Sequence, residues 1–128
     1  MTELVHQELS YLLNGILFSV HNELGKYMNE KQVCDFIEKK LIDSKLPYQR
    51  EYTLHFPEKG GVLGRNRLDF IIDNKIILEI KCKNFLTKED YYQVKRYLAN
   101  LNLKLALLVN FRDERLHPKR ILNSTGKE

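Results

Sequence analysis

The chain predicts an α/β fold, one mixed sheet flanked by helices, with elements in the order α, α, β, β, β, α, β. Three observations carry that reading. Apolar residues recur early at helical spacing, as Leu9, Leu13, Ile16, Leu17, Val20 and Leu24. Two runs rich in β-branched residues, Leu68 to Ile72 and Ile76 to Ile80, flank a polar Asp73-Asn74-Lys75 as hairpin strands flank a turn. A capped helical pattern then separates this hairpin from the apolar run Leu105-Ala106-Leu107-Leu108-Val109, which permits a right-handed parallel crossover.

Taken in order, the first stripe predicts a helix over residues 4–24, ended by Gly25, so that residues 1–25 form an N-terminal helix on the common core. His21 near its end reads as a helix residue placed where a proton is welcome. Asn29 caps a second helix with Val33, Phe36, Ile37 and Leu41 on its apolar side and Pro47 past its end. That puts Glu30 in the first turn, where the helix dipole favours a negative charge. Tyr48, Arg50, Tyr52, Leu54 and Phe56 share one face of a first strand, which Pro57 and the loop 58–61 terminate. Arg65 and Arg67 lead into the hairpin, with Arg67 on the face of Asp69, in reach of phosphate or of an acid partner. Thr87-Lys88-Glu89-Asp90 reads as a capping box opening a helix to about Leu101, with Gln93 and Tyr97 four apart on one face. Lys104 to Phe111 reads as a buried strand, and residues 124–128 as a frayed tail.

Composition sets the limits. The 128 residues, 43% hydrophobic and 30% charged, suffice for a single domain and argue against disorder. A net charge of +4 biases the surface mildly towards polyanions. Cys34 and Cys82 lack zinc or redox spacing and read as reduced thiols. No stretch approaches the roughly 20 apolar residues that span a bilayer, and the N-terminal residues Glu3, His6, Gln7 and Glu8 do not read as a secretory signal. A cytoplasmic protein without membrane contact is expected.

The hairpin carries the chemistry. Asp69 and Glu79 sit among residues such as Phe70, Leu78 and Ile80, where a carboxylate faces several kcal/mol of desolvation unless positive charge offsets it. A bound cation would supply that charge. Side-chain alternation puts Glu79 and Lys81 on one face. A two-residue turn at Asn74-Lys75 would send Asp69 to the far face, whereas a three-residue loop would set it opposite Glu79. Two opposed carboxylates repel, and either a metal or a proton between them relieves the repulsion. The competing reading of Glu79 and Lys81 is a surface ion pair worth about 0.2–1 kcal/mol.

Asp69 followed across the hairpin by Glu79-Ile80-Lys81 resembles the PD-(D/E)XK nuclease superfamily, with Leu68 where the superfamily carries its proline. His21 to Gly25, then Glu30 and Leu41, and later Asn110-Phe111 and Lys119 to Asn123, resemble the GxxExxY family within it, from about Val20 to Asn123. Tyr27 and Val33 stand at that family's name-giving Gly and Tyr. Gln93-Val94-Lys95-Arg96-Tyr97 matches the QxxxY element of the branch that includes the helicase-associated RecB nucleases.

The resemblance implies a restriction-endonuclease-like αβββαβ core with an extra N-terminal helix, spanning residues 1–128 as one domain. It implies metal-dependent hydrolysis of phosphodiester bonds, in DNA, by in-line attack of water, in repair or defence. Asp69 and Glu79 would then hold magnesium or manganese with the backbone carbonyl of Ile80. Glu30 would act nearby or bind a second ion, Lys81 would orient the water or offset charge, and Gln93 and Tyr97 would fix ligands or the substrate backbone. A homodimer or a partner protein would supply further recognition surface. The competing expectation is a nucleic-acid-binding or regulatory module that keeps the fold without turnover.

Overall fold

The computed structural model describes residues 5–54 and 67–126. The expected helix start at Leu4, strand end at Phe56, Pro57 with the loop 58–61, Arg65 and tail residues 127–128 lie outside the described residues.

Helix α1 (Gln7–Leu24) buries Leu13, Ile16, Leu17 and Val20, the predicted stripe. It ends at Gly25, whose φ of 74° only glycine adopts without strain, with Gly25 N donating to His21 O at 2.8 Å. Helix α2 (Glu30–Asp43) opens on a reciprocal cap: Gln32 N donates to Asn29 Oδ1 at 2.8 Å and Asn29 N to Gln32 Oε1 at 3.0 Å. The cap closes through Gln32, and Glu30 stands in the first turn as expected, where the helix dipole favours its charge but no cap bond uses its carboxylate. Helix α3 (Lys88–Leu101) begins on the predicted box of Thr87 and Asp90 and buries Val94, Tyr97 and Leu98.

The sheet runs β1 (Tyr48–Thr53), β2 (Arg67–Ile72), β3 (Ile76–Lys81), β4 (Leu105–Asn110) and β5 (Lys119–Leu122), neighbours in that order. Strands β1 to β3 form an antiparallel meander, β4 returns parallel to β3 after α3, and β5 adds an antiparallel edge. The sequence gives no signal for β5, since only Ile121 of its four residues is buried. Helices α1 and α2 cover one face over Phe70, Ile72, Leu78 and Ile80, and α3 covers the other over Leu68, Ile71, Ile77 and Leu108. Burying such side chains contributes about 1.5–3 kcal/mol each, and truncating fully buried Ile80 to alanine is expected to cost about 2–5 kcal/mol. Among the described residues no helix is long and apolar enough to cross a membrane.

Hairpin register decides where the acids stand. Ile72 pairs with Ile76, so the loop is the three-residue Asp73-Asn74-Lys75. Asp73 and Asn74 adopt φ of 52° and 54°, a left-handed turn that these two residue types tolerate best after glycine, closed by Lys75 N donating to Ile72 O at 2.9 Å.

Candidate active site

The sheet opens at Asp69. Backbone pairing of β2 with β3 runs from Ile72 to Phe70 and stops there. Pairing with β1 skips a position between Phe70 and Leu68, where Glu51 stands left-handed at φ 55°, a strain of about 1–3 kcal/mol for a side chain with a Cβ. Leu68 packs under α3 and Phe70 under α1 and α2, although a regular strand would give both one face. The same break separates Tyr48, on the α2 side, from Leu54, on the α3 side, so the expected common face of residues 48–56 does not persist.

Side chains fill the gap in the ladder. Asp69 N donates to Glu79 Oε1 at 2.7 Å, and Ile80 N donates to Asp69 Oδ2 at 2.8 Å. Backbone groups that would pair in a continuous strand are satisfied instead by the two carboxylates. Glu79 is only 3% exposed, so it is no surface ion-pair residue. Burial pushes its carboxyl well above the usual range, and the neighbouring Asp69 charge adds to this. Burial likewise raises Asp69, opposed by the Ile80 N–H and reinforced by the charge of Glu30.

Lys81 answers only part of this charge. Its Nζ lies 3.2 Å from Gln93 Oε1, 3.8 Å from Glu79 Oε2 and 3.9 Å from Asp90 Oδ1. Asp90, 8% exposed, holds Lys83 Nζ at 2.8 Å and accepts from Thr87 N at 2.8 Å. Burial works to raise the Asp90 carboxyl, but Lys83 and the Thr87 donors outweigh it and hold it below its ordinary value. A helix cap and the lysine tether are therefore one residue.

These groups border a cleft of about 390 Å³. Glu30 of α2, Asp69, Glu79, Lys81, and Gln93 and Tyr97 of α3 all line it, so the structure gathers every predicted side chain around one cavity. Ile80 joins through its backbone, its side chain being buried under α1 and α2. Arg67 also lines the cleft; of its two readings, phosphate contact or an ion pair with Asp69 or Glu79, the ion pair is not present among the described residues. Burial, with the Glu79 charge, pushes the Tyr97 hydroxyl up to about 12, which keeps it a proton donor at neutral pH. Cys34 lines the cleft too, but burial raises its thiol so far that it supplies no thiolate nucleophile.

Sequence reasoning assigns no site role to two groups here, although Asn110 falls in the Asn110-Phe111 resemblance. Arg50 lines the cleft, pinned by Asp35 at 2.8 Å and Glu38 at 2.9 Å and stacked over the Phe70 ring at 5.8 Å. Asn110, 2% exposed, accepts from Lys83 N at 3.1 Å and donates from Nδ2 to Lys83 O at 2.7 Å, fixing the chain just past Lys81. Neither carries a local signal, because each partner is distant in sequence.

Asp69 Oδ1 and Glu79 Oε2 accept no hydrogen bond from the described residues, and the pair is short of positive charge. Such oxygens suit a hard divalent cation, magnesium or manganese, that keeps several waters of its own. Among the described residues no three His, Cys, Asp or Glu side chains close into a ready cage, so Glu30 stands outside the immediate pair.

Comparison with curated proteins and with solved structures gives no match. Comparison with protein families matches residues 7–121 to one described as the PD-(D/E)XK nuclease superfamily. The matched span runs from the start of α1 to Ile121 of β5 and takes in the opened hairpin with its two carboxylates and lysine. On this match, over most of its length, the chain belongs to the PD-(D/E)XK nuclease superfamily.

Proposed function

We propose that this protein is a divalent-metal-dependent nuclease that hydrolyses phosphodiester bonds in DNA by in-line attack of water. The observation that carries the reading is the pairing of buried Glu79 with half-buried Asp69 beside the tethered Lys81: among the described residues Asp69 Oδ1 accepts no hydrogen bond, and Glu79 Oε2 meets only Lys81 Nζ, at 3.8 Å. PD-(D/E)XK nucleases generally depend on a divalent metal, and here Asp69, Glu79 and the Ile80 carbonyl would hold magnesium or manganese, with Glu30 acting from α2. Bound there, the ion supplies Lewis acidity towards water and the phosphate oxygens.

The chain's own groups do the rest. Lys81, aimed by Gln93, donates to the attacking water or to a phosphate oxygen as charge builds on it. Tyr97, protonated at neutral pH, donates to the substrate backbone, and Glu30, lining the same cleft from α2, would orient water around the cation or bind a second ion. We further assign the chain to the GxxExxY family on Glu30, Asn110-Phe111 and Lys119 to Asn123, in a reducing cytoplasmic setting that suits the two free cysteines.

Incubation of plasmid, single-stranded DNA and RNA with magnesium, manganese or chelator tests this. Cleavage of DNA by the wild type with either cation, lost with chelator and in Glu79→Gln and Lys81→Ala, supports it. Binding of nucleic acid without cleavage under any cation would replace it with the non-catalytic module.

A further inference from the structure

We infer that the outer side of α3 is a docking track for single-stranded nucleic acid, on which unpaired bases stack beside the cleft. This rests on the nuclease reading for its purpose, but not for its test. Gln93 and Tyr97, four residues apart, form the ridge of α3 that lines the cleft. The next ridge round the helix, Lys88, Tyr92 and Arg96, has the same spacing and faces outward, all three exposed. Phe85 stands just before the helix, 79% exposed, and Tyr92 is 56% exposed.

The chemistry of the track is specific. An exposed aromatic alone is ordinary surface. Here the rings alternate with cations, and neither Lys88 nor Arg96 belongs to an ion pair among the described residues. Helix α1 supplies the contrast: it exposes Tyr11 and Phe18 but carries no Lys or Arg anywhere along its length, so it offers rings without phosphate partners. Rings set between cations suit a strand whose bases are unstacked, because each base has a face to lay on a ring while its phosphate meets a cation. Duplex DNA keeps its bases stacked inside and can use only the charges.

The test is binding by the full chain, in chelator so that nothing is cut, to a labelled oligodeoxythymidylate and to a duplex of equal length. The wild type is expected to prefer the single strand. Phe85→Ala/Tyr92→Ala should weaken that binding about tenfold or more while leaving duplex binding and the melting temperature unchanged. Lys88→Gln/Arg96→Gln should flatten the salt dependence for the single strand, by about 0.7 in logarithmic slope per lost contact. Unchanged single-strand binding by the aromatic variant, or tighter binding to the duplex, would overturn the assignment. So would a wild-type dimer that Tyr92→Ala converts to monomer, which makes the face a self-association surface. Cleavage of duplex without this binding keeps the nuclease and loses the track, whereas ring-dependent binding without any cleavage keeps the track and loses the nuclease.

Discussion

Asp69 and Glu79 cross-brace the opened hairpin: Glu79 Oε1 accepts from Asp69 N at 2.7 Å while Asp69 Oδ2 accepts from Ile80 N at 2.8 Å. Each carboxylate thus completes the other strand's backbone and also turns an oxygen towards the cleft. The brace keeps two like charges close in a setting that disfavours both, so the site is most strained where it is most useful.

Stability of the metal-free protein should fall as pH rises. Burial raises both carboxyls above their unfolded values near 4, Glu79 further through the Asp69 charge and Asp69 further through that of Glu30, so above that range the folded chain keeps protons that the unfolded chain has lost. Their cost appears as pH climbs through the raised values. Glu79→Gln carries no such charge, so melting in chelator should show its stability relative to wild type growing by about 1–3 kcal/mol from mildly acidic to mildly alkaline buffer. A gap independent of pH would mean that Glu79 loses its proton over the same range folded and unfolded, and would contradict the raised carboxyl.

Glu30→Gln should separate capping from chemistry. Asn29 and Gln32 close the α2 cap without it, so the substitution should change stability by no more than about 0.5 kcal/mol, whereas Asn29→Ala should cost about 1 kcal/mol. Cleavage should nevertheless fall in Glu30→Gln, because Glu30 lines the cleft and acts on Asp69. Thermal melts beside cleavage rates check both halves.

Asp90 should show two separable losses. Asp90→Ala removes the carboxylate half of the α3 capping box and the lysine tether together, while Thr87 Oγ1 still accepts from the backbone N–H at position 90, and should destabilise by about 1–2 kcal/mol. Asp90→Asn keeps an oxygen for the Thr87 N–H but not the charge facing Lys83 and Lys81, so it should lose less stability while cleavage drops about tenfold as Lys81 loosens. With its carboxyl held low, the Asp90 contribution is present above the unfolded value near 4 and is lost as pH falls below it.

Helix ends are legible in the sequence because capping is local, and Gly25, Asn29 and Thr87 all stand where their residue types place them. The face of Asp69 is not, since a two-residue and a three-residue loop are both open to Asp73-Asn74-Lys75; the choice is settled only by how β2 and β3 pair and pack between the two helical layers. Glu79 and Lys81 share a face by simple alternation, which survives because β3 is regular. Alternation fails in β1, where the left-handed Glu51 interrupts the strand, and in β2, where Leu68 and Phe70 part. Arg50, Asn110 and the tether from Asp90 to Lys83 depend on partners brought together by folding, so no local pattern announces them.

Thermal melting of wild type and Asp69→Asn, each with chelator and with excess manganese, bears most directly on the carboxylate pair as a cation site. Manganese at a hundredfold excess over its dissociation constant should stabilise the wild type by about 2.7 kcal/mol. Asp69→Asn, which can still accept the Ile80 N–H but no longer crowds Glu79, should melt above the wild type in chelator and gain nothing from manganese. A wild type indifferent to manganese, with a variant simply less stable, would make Asp69 a structural brace and contradict the metal site.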